Sequence, residues 1–194
     1  MSRSVIEHCK SYAAQLVRVL EQQEWDSVET LAQTISKCWE NGRNLYLCGN
    51  GGSAGNAIHL ANDFLYGVGQ DLVPGIKVEA LSGNPSVLTC LANDIGYEEI
   101  FSQQLKVKAQ PKDVLVILSG SGNSPNVIRA LEVGKKKDMS TFAILGYSGG
   151  RCLDLAEVPI HFPVDDMQIS EDMQLVVGHM CMQWLYQEQQ GSLQ

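Results

Sequence analysis

Long apolar runs are missing from this sequence, and so is an excess of cations. No stretch approaches the ~18 uninterrupted apolar residues of a membrane-spanning helix. The opening MSRSVIEHCKSYAAQ has no apolar core of the kind a secretory signal needs. Lys and Arg number 14 against 22 Asp and Glu, a formal net charge of -8. Nucleic acid and anionic membrane both select a basic surface, so neither is expected as a partner. The six cysteines (Cys9, Cys38, Cys48, Cys90, Cys152, Cys181) contain no C-x-x-C pair, and several lie inside apolar runs. They read as reduced, mostly buried thiols of a cytoplasmic protein rather than disulfides or a thiolate metal site. The phosphate loop G-x-x-x-x-G-K-[ST] is absent too, which disfavours nucleoside triphosphate hydrolysis.

What is present suits one globular domain of 194 residues, 44% apolar and 19% charged. Residues 4–22 and 26–41 carry apolar side chains at helical spacing, with Asp26 placed to cap the second helix and Gly42 to stop it. After them, short apolar runs alternate with helical segments. Strands are expected at 44–49, 76–81, 113–119, 140–146 and 158–163. Helices are expected near 53–66, 84–92, 97–107, 124–137, 151–156 and 168–188, with the residues from 189 frayed. Such alternation predicts a three-layer α/β fold, a doubly wound parallel sheet of about five strands, preceded by a helical extension over residues 1–42.

Ligands of such folds sit beyond the carboxyl ends of the strands, and two turns there have unusual composition. Gly49-Asn50-Gly51-Gly52-Ser53-Ala54-Gly55-Asn56 leaves the first strand and opens a helix. Its glycines permit close backbone approach, and Ser53 offers a hydroxyl at the helix start. The stretch also fits G-x-G-x-x-A, a weak dinucleotide pattern, and is equally compatible with a tight turn that binds nothing. Ser119-Gly120-Ser121-Gly122-Asn123-Ser124 brings three hydroxyls to another helix N-terminus, where free N–H groups favour an anion. Alone it is no more than an elaborate cap; two such turns in one small domain point to a phosphate ester.

Of four histidines, two stand in informative places. His59 and Asp63 are spaced i, i+4 and share one helix face. His179 follows Glu171 by eight residues and Asp172 by seven on the last helix. Two imidazoles and two carboxylates suit zinc or a similar divalent cation, although a helical surface pair and a buried hydrogen-bonded histidine account for the spacing as well. His8 and His161 have no partner pattern.

GNGGSAGNAIH, CLAND (90–94), LSGSGNSPNVIRA (118–130) and the helix ending in His179 stand in the order and spacing of the phosphoheptose isomerases, sugar-isomerase (SIS) domain proteins that this sequence resembles over nearly its whole length. The resemblance implies a flavodoxin-like SIS fold and an aldose–ketose isomerase that converts sedoheptulose 7-phosphate to heptose 7-phosphate through an enediol. The implied metal and acid–base site is His59, Asp63, Glu171 and His179, with Asp63 as base and His179 as its partner. Asn50, Asp94 and Gln174 are the implied sugar contacts. Gly51, Gly52, Ser53, Ser119, Ser121 and Ser124 are the candidates for holding phosphate. A homotetramer with interfacial active sites and a role in surface-polysaccharide heptose synthesis are implied too. Three positions depart from the family pattern: Asp63 replaces a glutamate, Glu171 a glutamine, and Gly67 lies close to where an arginine of the family stands. These departures keep a second reading open, a non-catalytic SIS protein that senses sugar phosphates or associates with a replication initiator.

Overall fold

The computed structural model describes residues 4–70 and 73–192. Its elements follow in the order α1 (Val5–Glu21), α2 (Asp26–Glu40), β1 (Asn44–Gly49), α3 (Gly52–Asn62), β2 (Lys77–Ala80), α4 (Pro85–Asp94), α5 (Ser102–Lys108), β3 (Val114–Ser119), α6 (Pro125–Lys136), β4 (Ser140–Leu145), α7 (Gly150–Leu155), β5 (Val158–His161) and α8 (Met167–Ser192). All strand pairs are parallel, in the order β2-β1-β3-β4-β5. This is the flavodoxin-type order, whose switch point lies between β1 and β3.

The strands read as unbroken apolar runs because both faces of the sheet are covered. Leu45, Leu47, Val114, Val116, Leu118, Phe142 and Ile144 point to one side, where α2, α3 and α8 pack. Tyr46, Cys48, Leu115, Ile117, Ala143 and Leu145 point to the other, beneath α5, α6 and α7. Helix α8 meets the sheet through Ile169, Met173, Val177, Cys181 and Leu185, an i, i+4 stripe in which every residue is buried. At about 1.5–3 kcal/mol per buried large apolar side chain, that stripe is a major hold on the helix.

Helix α2 contributes Val28, Leu31, Ala32, Ile35 and Cys38 to the interior, whereas α1 buries none of its residues completely. A hydrogen bond of 2.5 Å from the Tyr12 hydroxyl to Asp172 ties α1 to α8, and Tyr12, Leu16, Val19 and Leu20 pack partly against the core. The expected N-terminal extension is therefore two different things, an integral helix and a loosely applied one.

Local departures from expectation have local causes. Trp25, not Asp26, occupies the N-cap of α2, with Asp26 inside the first turn where its charge favours the dipole. Gly42 follows the α2 C-cap at φ +60, the left-handed conformation that suits glycine. The expected helix at 97–107 is two pieces, a 3₁₀ turn at Tyr97–Glu99 and α5. Helix α3 ends at Asn62 and continues as a wider π turn over Asp63–Gly67. Helix α8 runs to Ser192, four residues beyond the expected end.

Candidate active site

Both unusual turns lie at the carboxyl ends of the strands flanking the switch point, and they meet. Asn50, Gly51, Gly52, Ser53, Ser119, Gly120, Ser121 and Ser124 line one cleft of about 280 Å³, together with Leu118, Met167 and Glu171. Gly51 caps α3 at φ +55, ψ -122, a conformation closed to residues with a Cβ. Gly122 sits at φ +63, and a Cβ there would collide with the Gly149 carbonyl oxygen. The two loops are thus shaped by backbone approach, and small side chains are what the approach permits.

The hydroxyls differ in what they are free to do. Ser119 is buried and accepts from the Gly122 N–H at 3.0 Å, which closes its own loop. Ser121 accepts weakly from Asn123 at 3.4 Å. Ser124 is the N-cap residue of α6, yet its side chain makes no capping bond. Ser53 accepts from the Gln174 amide at 2.9 Å, so its own proton remains available to a ligand. These groups surround the N-termini of α3 and α6, where the dipoles favour an anion.

Asn50 holds the loops together. Its side chain exchanges two hydrogen bonds with Asn126, at 2.9 and 2.8 Å, and accepts a third from the Tyr97 hydroxyl at 2.9 Å. Sequence reasoning passed over Asn126 and Tyr97, although Asn126 lies inside the quoted LSGSGNSPNVIRA segment.

Gln174 is not open to a sugar. It is 1% exposed, accepts from Asn56 and donates to Ser53, so it supports the glycine loop from behind. Asp94 is the last residue of α4, exposed, with Cys90 and Asn93 donating to it, and it does not line the cleft. From that stretch of chain it is Tyr97 that reaches Asn50.

The acid–base candidates form a second centre. The Nε2 atoms of His59 and His179 are 3.0 Å apart, and Asp63 Oδ2 lies 3.4 Å from the first and 3.3 Å from the second. The two rings meet edge to face, 84° between planes. Half of the His59 side chain and 40% of that of His179 remain exposed. Donor edges of 3.0–3.4 Å compare with about 3.3 Å around a tetrahedral ion with ligand bonds near 2.0–2.1 Å, so this donor set fits zinc. Glu171 does not join it. Among the described residues the ligand group is His59, Asp63 and His179. Eight residues of helix separate Glu171 from His179 by about 12 Å, and its carboxylate lies against Gly52 at the cleft. Asp172 is likewise occupied elsewhere, by Tyr12. Gly67 closes the π turn and leaves ordinary contact distance to Met182.

An SIS-domain family model matches residues 8–146. A phosphoheptose isomerase of Chlorobaculum parvum is 35% identical over 174 residues, spanning 87% of this chain and 82% of that protein. The chain belongs to the phosphoheptose isomerase family. A second member, from Nitratidesulfovibrio vulgaris, is 35% identical and spans 92% of this chain and 85% of its own length. Among solved structures, phosphoheptose isomerase from Neisseria gonorrhoeae superposes with a TM-score of 0.85 at 27% identity, covering 94% of this chain and 98% of that one. The enzyme from Francisella tularensis gives 0.87 at 22% identity, covering 95% and 100%, a likeness of fold. The dinucleotide pattern G-x-G-x-x-A is therefore one stretch of an SIS-family glycine loop in this chain, not a Rossmann fingerprint.

Proposed function

We propose that the protein interconverts sedoheptulose 7-phosphate and glycero-manno-heptose 7-phosphate. The observation that carries this reading is the His59–Asp63–His179 cluster, because a protein that only binds a sugar phosphate has no need of three titratable groups at 3.0–3.4 Å. The spacing of the two centres supports the substrate. Ser53 and Glu171 mark the anion cleft, and His59 and His179 lie six and eight residues further along the same two helices, about 9 and 12 Å. An extended seven-carbon chain advances about 1.25 Å per carbon–carbon bond, which places its first two carbons about 10 Å from a phosphate on the seventh.

With phosphate held by Ser53, Ser121, Ser124 and the free N–H groups of α3 and α6, the reacting carbons fall beside the cluster. Asp63 takes the proton from C1, the enediol forms, and the proton returns to C2. His179 moves the proton between the two oxygens as acid and base. The same three residues, His59, Asp63 and His179, would hold a divalent cation, zinc by its donor set, through the two Nε2 atoms and Asp63 Oδ2; those atoms would then supply polarisation of the carbonyl oxygen through the ion in place of proton transfer. Glu171 lies too far along α8 to complete that set within one chain.

The half-exposed imidazoles also favour a site shared between copies. Trp25, Val28, Ala32, Met180 and Trp184 line an open apolar hollow of about 310 Å³ between α2 and α8, on the same helix as His179. A homotetramer with interfacial sites, in the cytoplasm, is the assembly we infer.

The test is conversion of sedoheptulose 7-phosphate by metal-replete protein, with and without chelator, beside Asp63→Asn and His179→Ala. Turnover that disappears in all three comparisons is expected. Folded, metal-replete protein that binds the sugar phosphate and leaves it unchanged would replace this reading with that of a sugar-phosphate binder.

A further inference from the structure

Asn50 sits in a hydrogen-bond chain whose direction is fixed at one end. The backbone N–H of Val127 donates to Asn126 Oδ1 at 2.9 Å. A backbone N–H can only donate, so this contact identifies the oxygen of the Asn126 amide and removes the usual ambiguity between the two ends of the group. The remaining end is then Nδ2, which donates to Asn50 Oδ1 at 2.8 Å, while Asn50 Nδ2 donates back to Asn126 Oδ1 at 2.9 Å. The orientation of Asn50 follows from that of Asn126. Tyr97, whose hydroxyl lies 2.9 Å from Asn50 Oδ1, can therefore act only as a donor to it.

Asn50 Oδ1 has two lone pairs, and Asn126 and Tyr97 occupy both. Asn50 Nδ2 has two N–H bonds; one goes to Asn126, and the second has no partner among the described residues. Asn50 lines the anion cleft. What it presents there is a hydrogen-bond donor and never an acceptor.

We infer that Tyr97 is a positioning residue, which saturates the carbonyl of Asn50 and so commits its amide to donating an N–H to an acceptor oxygen of the bound ligand. This rests on the sugar-phosphate reading above for the identity of the ligand. Without the Tyr97 hydroxyl, the Asn50 oxygen would recover a lone pair that competes for water or for a ligand hydroxyl.

The turn that carries Tyr97 is built to hold it. Gly96 enters at φ +106, and the Tyr97–Glu99 turn is anchored at its far end. Arg129 of α6 pairs with Glu99 and lies 3.6 Å from Glu98, Lys106 reaches Glu99 at 3.3 Å, and the Ser102 hydroxyl donates to the same carboxylate. Arg129 is three residues after Asn126 on α6, so a single helix fixes both ends of the chain. A mere surface tyrosine, 58% exposed, would not require this anchoring.

The test compares the full-length protein with Tyr97→Phe, Asn50→Ala and the double variant, in turnover of sedoheptulose 7-phosphate and in ligand-free ¹⁵N spectra. Tyr97→Phe is expected to raise KM about fivefold, the worth of one neutral hydrogen bond, and to leave kcat within about twofold. In the Asn50→Ala background the same change is expected to do nothing, because Tyr97 acts through Asn50. In the spectra, Tyr97→Phe is expected to shift the Asn50 side-chain amide without any ligand. An equal loss in both backgrounds would make Tyr97 a direct ligand contact, and no loss in either would make it a surface residue; both overturn the inference. If the wild type does not turn over the sugar phosphate, the functional reading fails by itself. The Asn50 amide signal then decides the positioning role: unmoved by Tyr97→Phe, it overturns that role too.

Discussion

Replacing Gln174 by glutamate should separate binding from stability in a way that replacing it by leucine should not. In the native site Gln174 is 1% exposed and donates its amide N–H to Ser53 Oγ at 2.9 Å, while its oxygen accepts from Asn56 at 3.0 Å. Because Ser53 accepts here, its hydroxyl proton is left to point at an anion in the cleft. A carboxylate in place of the amide has no proton to give. Ser53 would then turn its proton toward the new carboxylate, and the phosphate would meet an oxygen lone pair instead of a donor. A hydrogen bond to a charged group is worth about 1.5–3 kcal/mol, so affinity for the sugar phosphate should fall about 10- to 150-fold. Gln174→Leu leaves the Ser53 proton free but strands buried polar groups of Ser53 and, in part, Asn56, which keeps its bond to the Glu171 carbonyl. It should cost about 2–4 kcal/mol of stability, with a much smaller change in affinity. Titration calorimetry with sedoheptulose 7-phosphate and urea unfolding read the two quantities separately. Equal losses of affinity in both variants, with both folded, would refute the role of proton direction and leave Gln174 a plain structural support.

Four further outcomes follow from the site and its surroundings. His179→Ala and Asp63→Asn should each lower kcat at least about hundredfold, as loss of a general acid or base does, with thermal unfolding little changed because both side chains are partly exposed. Zinc added to metal-free protein should bind with a stoichiometry that falls in His59→Ala, measured by equilibrium dialysis. The Tyr12 hydroxyl is pushed up to about 12, chiefly by its hydrogen bond to Asp172, so its contribution is intact below pH 10 and lost as pH rises through 12. Tyr12→Phe should show a smaller stability loss between pH 10 and 12 than the wild type in alkaline urea titrations. Burial pushes the thiols of Cys38, Cys152 and Cys181 up to about 12 and raises that of Cys48 also. A thiol reagent at pH 8 should therefore label Cys9 and Cys90 quickly, with Cys90 the slower because Asp94 holds its proton.

The fold was legible because the central strands β1, β3 and β4 are buried on both faces, so DVLVILS and STFAIL stand out as apolar blocks against the helical periodicity between them. The meeting of the two glycine- and serine-rich turns was legible for the same kind of reason, since such residues concentrate where backbone approaches closely at the carboxyl ends of neighbouring strands. What the pattern could not carry was direction. Gln174 and Asn50 are both implied sugar contacts, and nothing in their spacing tells that one faces inward to Ser53 while the other faces the cleft. Asp94 and Tyr97 are three residues apart, and the break at Gly96 decides which of them reaches Asn50. Helical phase and the family resemblance both group Glu171 with His179. Phase places both on a similar side of α8 but says nothing of the two turns between them, and those two turns put one at the cleft beside Gly52 and the other at the imidazole pair.

Those same turns give the site its length. Helices α3 and α8 both start at the cleft, with Ser53 on one and Glu171 on the other, and each carries a histidine roughly two turns along. The distance between the cleft and the His59–Asp63–His179 cluster is thus set by helical rise, which a packed helix holds more rigidly than any loop. The π turn begins at Asp63, after the stretch that fixes this distance, so its extra residue shifts the chain toward β2 without altering the register from Ser53 to His59. A deletion that restored regular helix after Asp63 should leave ligand affinity and the His59–Asp63 spacing unchanged, and displace only the chain from Phe64 toward β2. A deletion between Ser53 and His59 should rotate His59 by about 100° off its face and separate it from His179. The protein is therefore expected to tolerate change in the Asp63–Gly67 turn far better than a single-residue change of length before it.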